Sequence, residues 1–519
     1  MRAERDLFRR PTLKSFERSS RHPPSEMFVA GQKASWLTLT RRTWAKQEVG
    51  KRSRTDSRVL PEHPLTFRIP KPGESRSFTC SPAKEIGTKQ VMMAADTDQR
   101  PISKRVGILK AIGTGVITGA ADDDPSAIGT YASAGAKFGL AFLWIAPVVL
   151  PMMYVVVYLS AKLGRVYGKG LFAVIRDRYP RWLLYPTMIG AVVGNLIEAA
   201  ANLGGIGASL NLLIPIPIPV IVVAAALGIL LLQVWGSYAL LRDIFKWLSL
   251  ALFAYVGAAL MAKPDLGEVL RGTIIPRIQF NGEFLSMIVA CIGTSLSAYI
   301  YTWQSNQEVE EQIEEGRRTV AQRRGASDRE LARTRREVLI GMAFSNLILY
   351  FIILATGATL HSSGKVEIET AAEAAAALEP LAGPGATILF AMGVVGVGIL
   401  AMPVMTAGAA YDLAQALGKP SSLNAKPSKA PFFYAAIAIV TGLAVLLNFL
   451  GLNPMKALVW SGIVQGFSVP PLLLLMMLLT NDPVVVGQRV NSPFTNTLGW
   501  VTTAATFAAT ACLVMSWFL

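Results

Sequence analysis

Cysteine, histidine and charge are all scarce in this chain of 519 residues. The three cysteines, Cys80, Cys291 and Cys512, and the three histidines, His22, His63 and His361, lie far apart, so neither a disulfide framework nor a Cys/His zinc site is readable. Charged residues make up 16% against 52% hydrophobic ones, and the mean hydropathy is +0.42. An ordinary soluble domain is excluded by that balance. A polytopic helical membrane protein remains, because a single span needs only ~20 residues.

The net charge of +16 is unevenly placed. Residues 1–105 are rich in Arg, Lys, Ser and Pro without a sustained apolar period, which predicts a disordered basic arm. Such an arm suits anionic lipid headgroups, and it lacks the interleaved aromatics of a nucleic-acid module, so no nucleic-acid partner is expected. Met92 and Met93 offer alternative starts, and no apolar core follows the early charges as it would in a secretory signal. Residues 106–519 form the transmembrane domain.

Apolar runs predict eleven spans: 106–121 continuing as 127–138, then 140–163, 182–204, 216–234, 241–262, 284–293 continuing as 299–311, 338–360, 386–417, 432–450, 455–479 and 495–518. Basic residues gather in alternate loops. Lys162, Arg165, Lys169, Arg176, Arg178 and Arg181 share one, Arg317 to Arg336 another, and Lys419, Lys426 and Lys429 a third, with the 480–494 loop on the same side. The positive-inside rule then puts the N-terminus in the cytoplasm and the C-terminus outside.

Two polar breaks interrupt these spans, Asp122-Asp123-Asp124-Pro125-Ser126 in the first and Gly293 to Tyr299 in the sixth. Each opens a set of five spans, and an odd number inverts the second set relative to the first. Paired broken helices at matching positions are the best sequence pointer to a transporter with inverted repeats and a midplane site. Carboxylates at bilayer depth need a partner or an ion. Asp124 precedes a proline, which restricts its backbone and removes an N–H, freeing carbonyls beside a carboxylate. Carboxylate, hydroxyl and carbonyl oxygens suit hard cations such as Mg²⁺, Mn²⁺ and Ca²⁺, and the second break adds Thr294, Ser295 and Ser297 without sulfur.

Blander readings stand beside these. Asp124 could be a helix-terminal acid near the interface; the same holds for Asp122 and Asp123, since three adjacent acids cannot all line one site. Asp123 is kept as a candidate ligand. Asn195, Glu198 and Asn202 share a face at helical spacing, lining a path or pairing with a neighbouring helix. Gln465 could reach the ion or serve as interhelical glue. Glu308, Glu310 and Glu311 read as an acidic vestibule or as a solvated helix end.

The run from Gly113-Thr114-Gly115 through Asp124-Pro125-Ser126 to Ala134-Gly135-Ala136-Lys137-Phe138-Gly139 resembles the first helix of Nramp divalent-metal transporters, and the second break is similar to that family's sixth helix. The resemblance extends from residue 106 to nearly the end. It implies an all-α LeuT-type fold of two inverted five-helix repeats plus an eleventh helix, with the first and sixth helices broken. It further implies a metal-binding carboxylate at Asp124 and a metal-binding backbone carbonyl at Thr294. Departures follow: Ser126 and Ala127 stand where the family has Gly and a ligand Asn, Ser297 where it has a metal-binding Met, Ala298 where it has Pro, and Tyr299 where it has a proton-linked His. With Trp303-Gln304 and Gln307 to Glu311 following, the pattern looks like the divergent Nramp-related branch associated with magnesium.

The expectation is a non-enzymatic transporter in a bacterial-type inner membrane, moving Mg²⁺ or Mn²⁺ by alternating access without proton coupling. Its metal residues are Asp124, Thr294, Ser297, Ala127, Asp123 and Gln465, and Glu198, Tyr299 and Asn202 line its path. No cofactor is expected beyond the transported ion; the partners are that ion and the bilayer, and the sequence is silent on oligomeric state. Rival readings are a proton-coupled Mn²⁺/Fe²⁺ importer, a sodium-coupled transporter of organic solutes, and an intramembrane aspartyl protease, for which Tyr411-Asp412 supplies half a signature without a Gly-x-Gly-Asp partner.

Overall fold

Proline and a carboxylate decide where the first membrane helix stops. Helix α1 (Thr114–Asp122) ends at Asp123-Asp124, and α2 (Pro125–Phe138) starts on a proline with no N–H to leave unpaired. Asp124 is extended (φ −68°, ψ 170°), as a residue before proline must be, and its side chain caps α2 by accepting from Ala127 N at 2.6 Å. This computed structural model describes residues 114–235 and 252–518. The basic arm (1–105), the start of the first span (106–113) and most of the fifth (up to 251) lie outside the described residues.

The remaining helices follow the expected order. They are α3 (Ile145–Tyr167), the short α4 (Leu171–Arg178), α5 (Arg181–Asn211), α6 (Ile218–Trp235), α7 (Phe253–Met261), which is the described end of the fifth span, and α8 (Leu266–Ile274). The second half holds α9 (Gly282–Ser295), α10 (Ala298–Glu314), α11 (Asp328–Thr356), α12 (Ala386–Ala416), α13 (Pro431–Asn448), α14 (Pro454–Asn481) and α15 (Pro493–Ser516). Among the described residues no strand occurs, and eight stretches, with α9 and α10 taken together, are long and apolar enough to cross a membrane. Ile218–Val234 is a shorter apolar helix.

Two expectations about element limits change. The seventh span begins at Asp328 rather than near 338, because Ser327 and Glu330 form a reciprocal capping box three turns ahead of the apolar run. Helix α8 was not expected; Asp265 caps it by accepting from Gly267 N and Glu268 N, and its Leu266, Leu270 and Ile274 are exposed along one face.

Small residues bring the helices together. A Cβ at Gly293 of α9 would collide with the Gly462 carbonyl of α14 and stand 2.5 Å from the Gly466 nitrogen, so these two backbones touch.

The four basic loops do share one end of the bundle. Arg178 pairs with Asp482 at 2.5 Å, Lys162 donates to Asn491 at 2.8 Å, Arg176 donates to the Gln415 carbonyl at 2.6 Å, and Arg489 pairs with Asp328. At that end the acidic run of α10 is neither a solvated helix end nor an open vestibule. Arg165, buried on α3, holds Glu308 at 2.6 Å and also pairs with Glu311. Glu310 accepts from Tyr411, Ser422 and Asn424, each at 3.0 Å.

Candidate functional site

The first break places Asp124 at the centre of a buried polar shell. Its Oδ1 is engaged by Ala127 N, and its Oδ2 accepts from Asn202 Nδ2 of α5 at 2.9 Å and from Tyr299 OH of α10 at 3.3 Å. The Tyr299 hydroxyl also lies 3.0 Å from the Ala121 carbonyl, which α1 leaves free where it ends. Asn202 faces both ways along the break, since its Oδ1 accepts from Ser126 N at 2.9 Å. All of these side chains are buried.

The second break supplies neutral oxygens. Leu296 and Ser297 leave helical geometry (Ser297 φ −53°, ψ 137°), and the Ser297 hydroxyl lies within hydrogen-bond distance of the Thr294 carbonyl at 2.9 Å and the Gly293 carbonyl at 3.0 Å. It also lies 2.9 Å from Glu198 Oε1, and Glu198 Oε2 accepts from Gln465 Nε2 at 2.6 Å. From Gln465 the polar contacts continue to Asn195 at 3.2 Å. Ser126 joins the two breaks: its Oγ is 3.4 Å from Thr294 Oγ1 and 2.8 Å from Ser461 Oγ.

Eight of the nine residues singled out from the sequence therefore meet in two adjoining groups. Asp124, Ala127, Asn202 and Tyr299 form one, and Ser297, Thr294, Glu198 and Gln465 the other. Asp123 belongs to neither. It turns away with Asp122 toward the Ser345 hydroxyl of α11, so its expected place beside Asp124 is corrected. Among the described residues no three His, Cys, Asp or Glu side chains converge, so any ion held here would draw on at most two carboxylates and otherwise on neutral oxygens.

One residue escaped the sequence reading. Met405 of α12 puts its Sδ 3.0 Å from Asn202 Nδ2, so a thioether stands at the rim of the Asp124 shell although the second break has none. One methionine among 17 in an apolar chain carries no signal of its own.

Comparison with known proteins supports the same architecture. The manganese transporter of Eremococcus coleocola has a similar structure, with a TM-score of 0.59 at 18% identity over 80% of this chain and 88% of that one. Mhp1, a nucleobase-cation-symport-1 family transporter, aligns with a TM-score of 0.51 at 12% identity, over 78% of this chain and 92% of its own. The fold is of the LeuT type. The divalent metal cation transporter MntH of Aeromonas hydrophila is 26% identical over 401 residues, covering 76% of this chain and 92% of the relative, and that of Klebsiella pneumoniae is 25% identical over 395 residues, covering 76% and 90%. A family model described as natural resistance-associated macrophage protein-like matches residues 115–516, and this chain belongs to that family, Nramp.

Proposed function

We propose that the protein is a transporter, not an enzyme, and carries Mg²⁺ or Mn²⁺ across a bacterial-type inner membrane between its two broken helices. The observation that carries this reading is Asp124, a buried carboxylate whose protein partners are all neutral donors, in a break that touches the second one through Ser126 and Thr294. A carboxylate so placed gains most from a cation. Relatives named for divalent metal cation transport support a divalent cation as the cargo.

Loading would proceed by exchange of partners. The ion takes Asp124 Oδ2, with Asn202 and Tyr299 giving way, and reaches Thr294 O when the Ser297 hydroxyl turns from that carbonyl toward Glu198. Ser297 and Ala127 are small, which leaves room for retained waters, as Mg²⁺ requires. Release toward the basic end requires the Arg165–Glu308–Glu311 lock between α3 and α10 to part, and closure of that lock while the opposite end opens is what alternating access asks for. The basic end is the cytoplasmic one by the positive-inside rule. A single chain holds every group used here.

Transport in this reading is uncoupled from protons, because Tyr299 stands at the position of the family's histidine and a phenol ordinarily titrates near 10. A second reading, proton-coupled Mn²⁺ or Fe²⁺ import, draws on Met405, whose thioether would favour a softer ion.

Flux into liposomes loaded with a pH-sensitive dye separates the two. Wild-type protein should carry Mg²⁺ and Mn²⁺ without acidification, and Asp124→Ala should abolish flux while remaining monodisperse. Wild-type-like Mn²⁺ uptake by that variant would sink the site, and acidification locked to metal entry would favour the second reading.

A further inference from the structure

Helix α8 joins the fifth span to the sixth, which places it at the membrane end opposite the basic loops. The chain breaks sharply before it: α7 ends at Met261, Lys263 takes a left-handed conformation (φ 48°), and Asp265 caps the new helix after Pro264. Among the described residues Lys263 is the only non-glycine with positive φ. Side chains rarely tolerate that backbone, so the separation of α8 from α7 is built into the chain.

The faces of α8 divide between protein and surroundings. Gly272 is buried, and a Cβ there would collide with the Leu140 carbonyl in the helical turn Gly139–Phe142 that follows α2. Thr273 Oγ1 donates to the Val269 carbonyl at 2.7 Å and lies 2.8 Å from the Tyr350 hydroxyl of α11, so Val269, Gly272 and Thr273 face inward. Beside that face Leu266, Leu270 and Ile274 recur at every fourth position, and they are 75%, 61% and 72% exposed. Glu268 and Arg271 occupy the opposite arc.

The exposed apolar surface does not stop at the helix ends. Leu260 and Met261 precede it, and Ile275, Ile278 and Phe280 follow it toward α9, each more than half exposed. Since α9 opens a stretch long and apolar enough to cross a membrane, the stripe on α8 is continuous with the surface that the spans turn to lipid. Lys263, Arg271 and Arg277 are exposed in the same connection, and none pairs with an acid among the described residues. Apolar side chains flanked by free cations match a phospholipid interface, where acyl chains take the former and headgroup phosphates the latter. A protein partner would have to bring acids of its own, whereas those phosphates are present wherever the spans are.

We propose that α8 is an interfacial anchor, with Leu266, Leu270 and Ile274 among the acyl chains of the leaflet opposite the basic loops and Lys263, Arg271 and Arg277 at its phosphates. Because the inward face of α8 is seated on the turn after α2 and on α11, the leaflet braces the far end of the half-helix that starts beside Asp124. The proposal needs only that the spans cross a bilayer; the ion carried does not enter it.

The test is fluorescence quenching of the full-length protein in vesicles of phosphatidylcholine and phosphatidylglycerol. Leu270→Cys and Glu268→Cys are made singly in a background carrying Cys80→Ala, Cys291→Ala and Cys512→Ala, and each is labelled with bimane. At position 270 a nitroxide on the lipid acyl chain should quench strongly, and iodide on both sides should quench roughly tenfold less than at position 268. Equal iodide quenching at the two positions would overturn the proposal, as would a label at 270 shielded from both quenchers, the mark of a protein partner or a second copy. The cations are tested without labels: the thermal transition of the wild type should be higher in vesicles containing phosphatidylglycerol than in phosphatidylcholine alone, and Arg271→Gln with Arg277→Gln should narrow that difference. No difference in the wild type, or one unchanged in the double variant, would overturn the assignment to headgroup phosphates. Neither readout involves flux, so failure here and failure of the transport reading are separate results.

Discussion

The two breaks that face each other in this fold are made by different means. The first is written into the backbone: Pro125 cannot donate, Asp124 is forced into an extended conformation, and the acid then caps the helix it helped to start. The second contains no proline at all, with Ala298 at the head of its second half. It opens at Leu296 and Ser297, whose hydroxyl lies within hydrogen-bond distance of the carbonyls that the ended helix leaves behind. The first break carries the charge and the second the neutral oxygens. In the proposed reading an ion between them would gain its electrostatic hold from one and its selectivity from the other.

If the second break owes its position to packing, it should be the easier one to destroy. Gly293→Ala places a methyl against the Gly462 carbonyl and the Gly466 nitrogen, backbone atoms that cannot rotate away, so α9 and α14 must separate. We expect a cost of about 1–3 kcal/mol or more. Thermal unfolding followed by size-exclusion chromatography should show a clear fall in transition temperature. An unchanged transition would mean that the helices are free to part and that the break is held by Ser297 alone.

Ser297→Met tests the division of labour from the other side, with a smaller expected effect. The change brings a soft ligand to a position proposed to face the metal and removes the hydroxyl that touches both Glu198 and the Thr294 carbonyl. Cd²⁺ should gain affinity relative to Mg²⁺ by roughly tenfold, measured by isothermal titration with each ion. A preference for Cd²⁺ already present in the wild type would overturn the hard-ion reading.

Periodicity and chemistry, together with the resemblance to Nramp helices, made the fold and most of the candidate site legible in the sequence. Both broken spans were readable from a proline beside acids and from a Gly-Thr-Ser run, and the i, i+3 and i+4 spacings put Asn195, Glu198 and Asn202 on one face, as observed. What was not legible depends on partners distant in the chain. Asp123 stands as a second candidate ligand behind Asp124 until Ser345, 222 positions away, claims it. Glu308 reads as a solvated residue until Arg165, 143 positions away, buries it in an ion pair. Helix α8 is nine residues long, too short for its exposed apolar stripe to be told from a stray piece of loop.

Met405 is the last such distant partner, and it gives the finest test of the comparison. Its sulfur reaches the first break from α12, a helix that belongs to neither broken pair, and touches Asn202 rather than Asp124. If selectivity resides in the second break, this thioether is packing and a hydrogen-bond acceptor, not a ligand. Met405→Leu keeps nearly the same volume, so it should cost under about 1.5 kcal/mol of stability. Flux of Mg²⁺ and of Mn²⁺ should then both stay within about twofold of wild type, since neither hard ion gains much from sulfur. The informative failure is a split, in which Mn²⁺ flux collapses while Mg²⁺ flux does not. That outcome would make Met405 a metal ligand, move part of the selectivity to the rim of the first break, and shift the balance toward import of a softer ion.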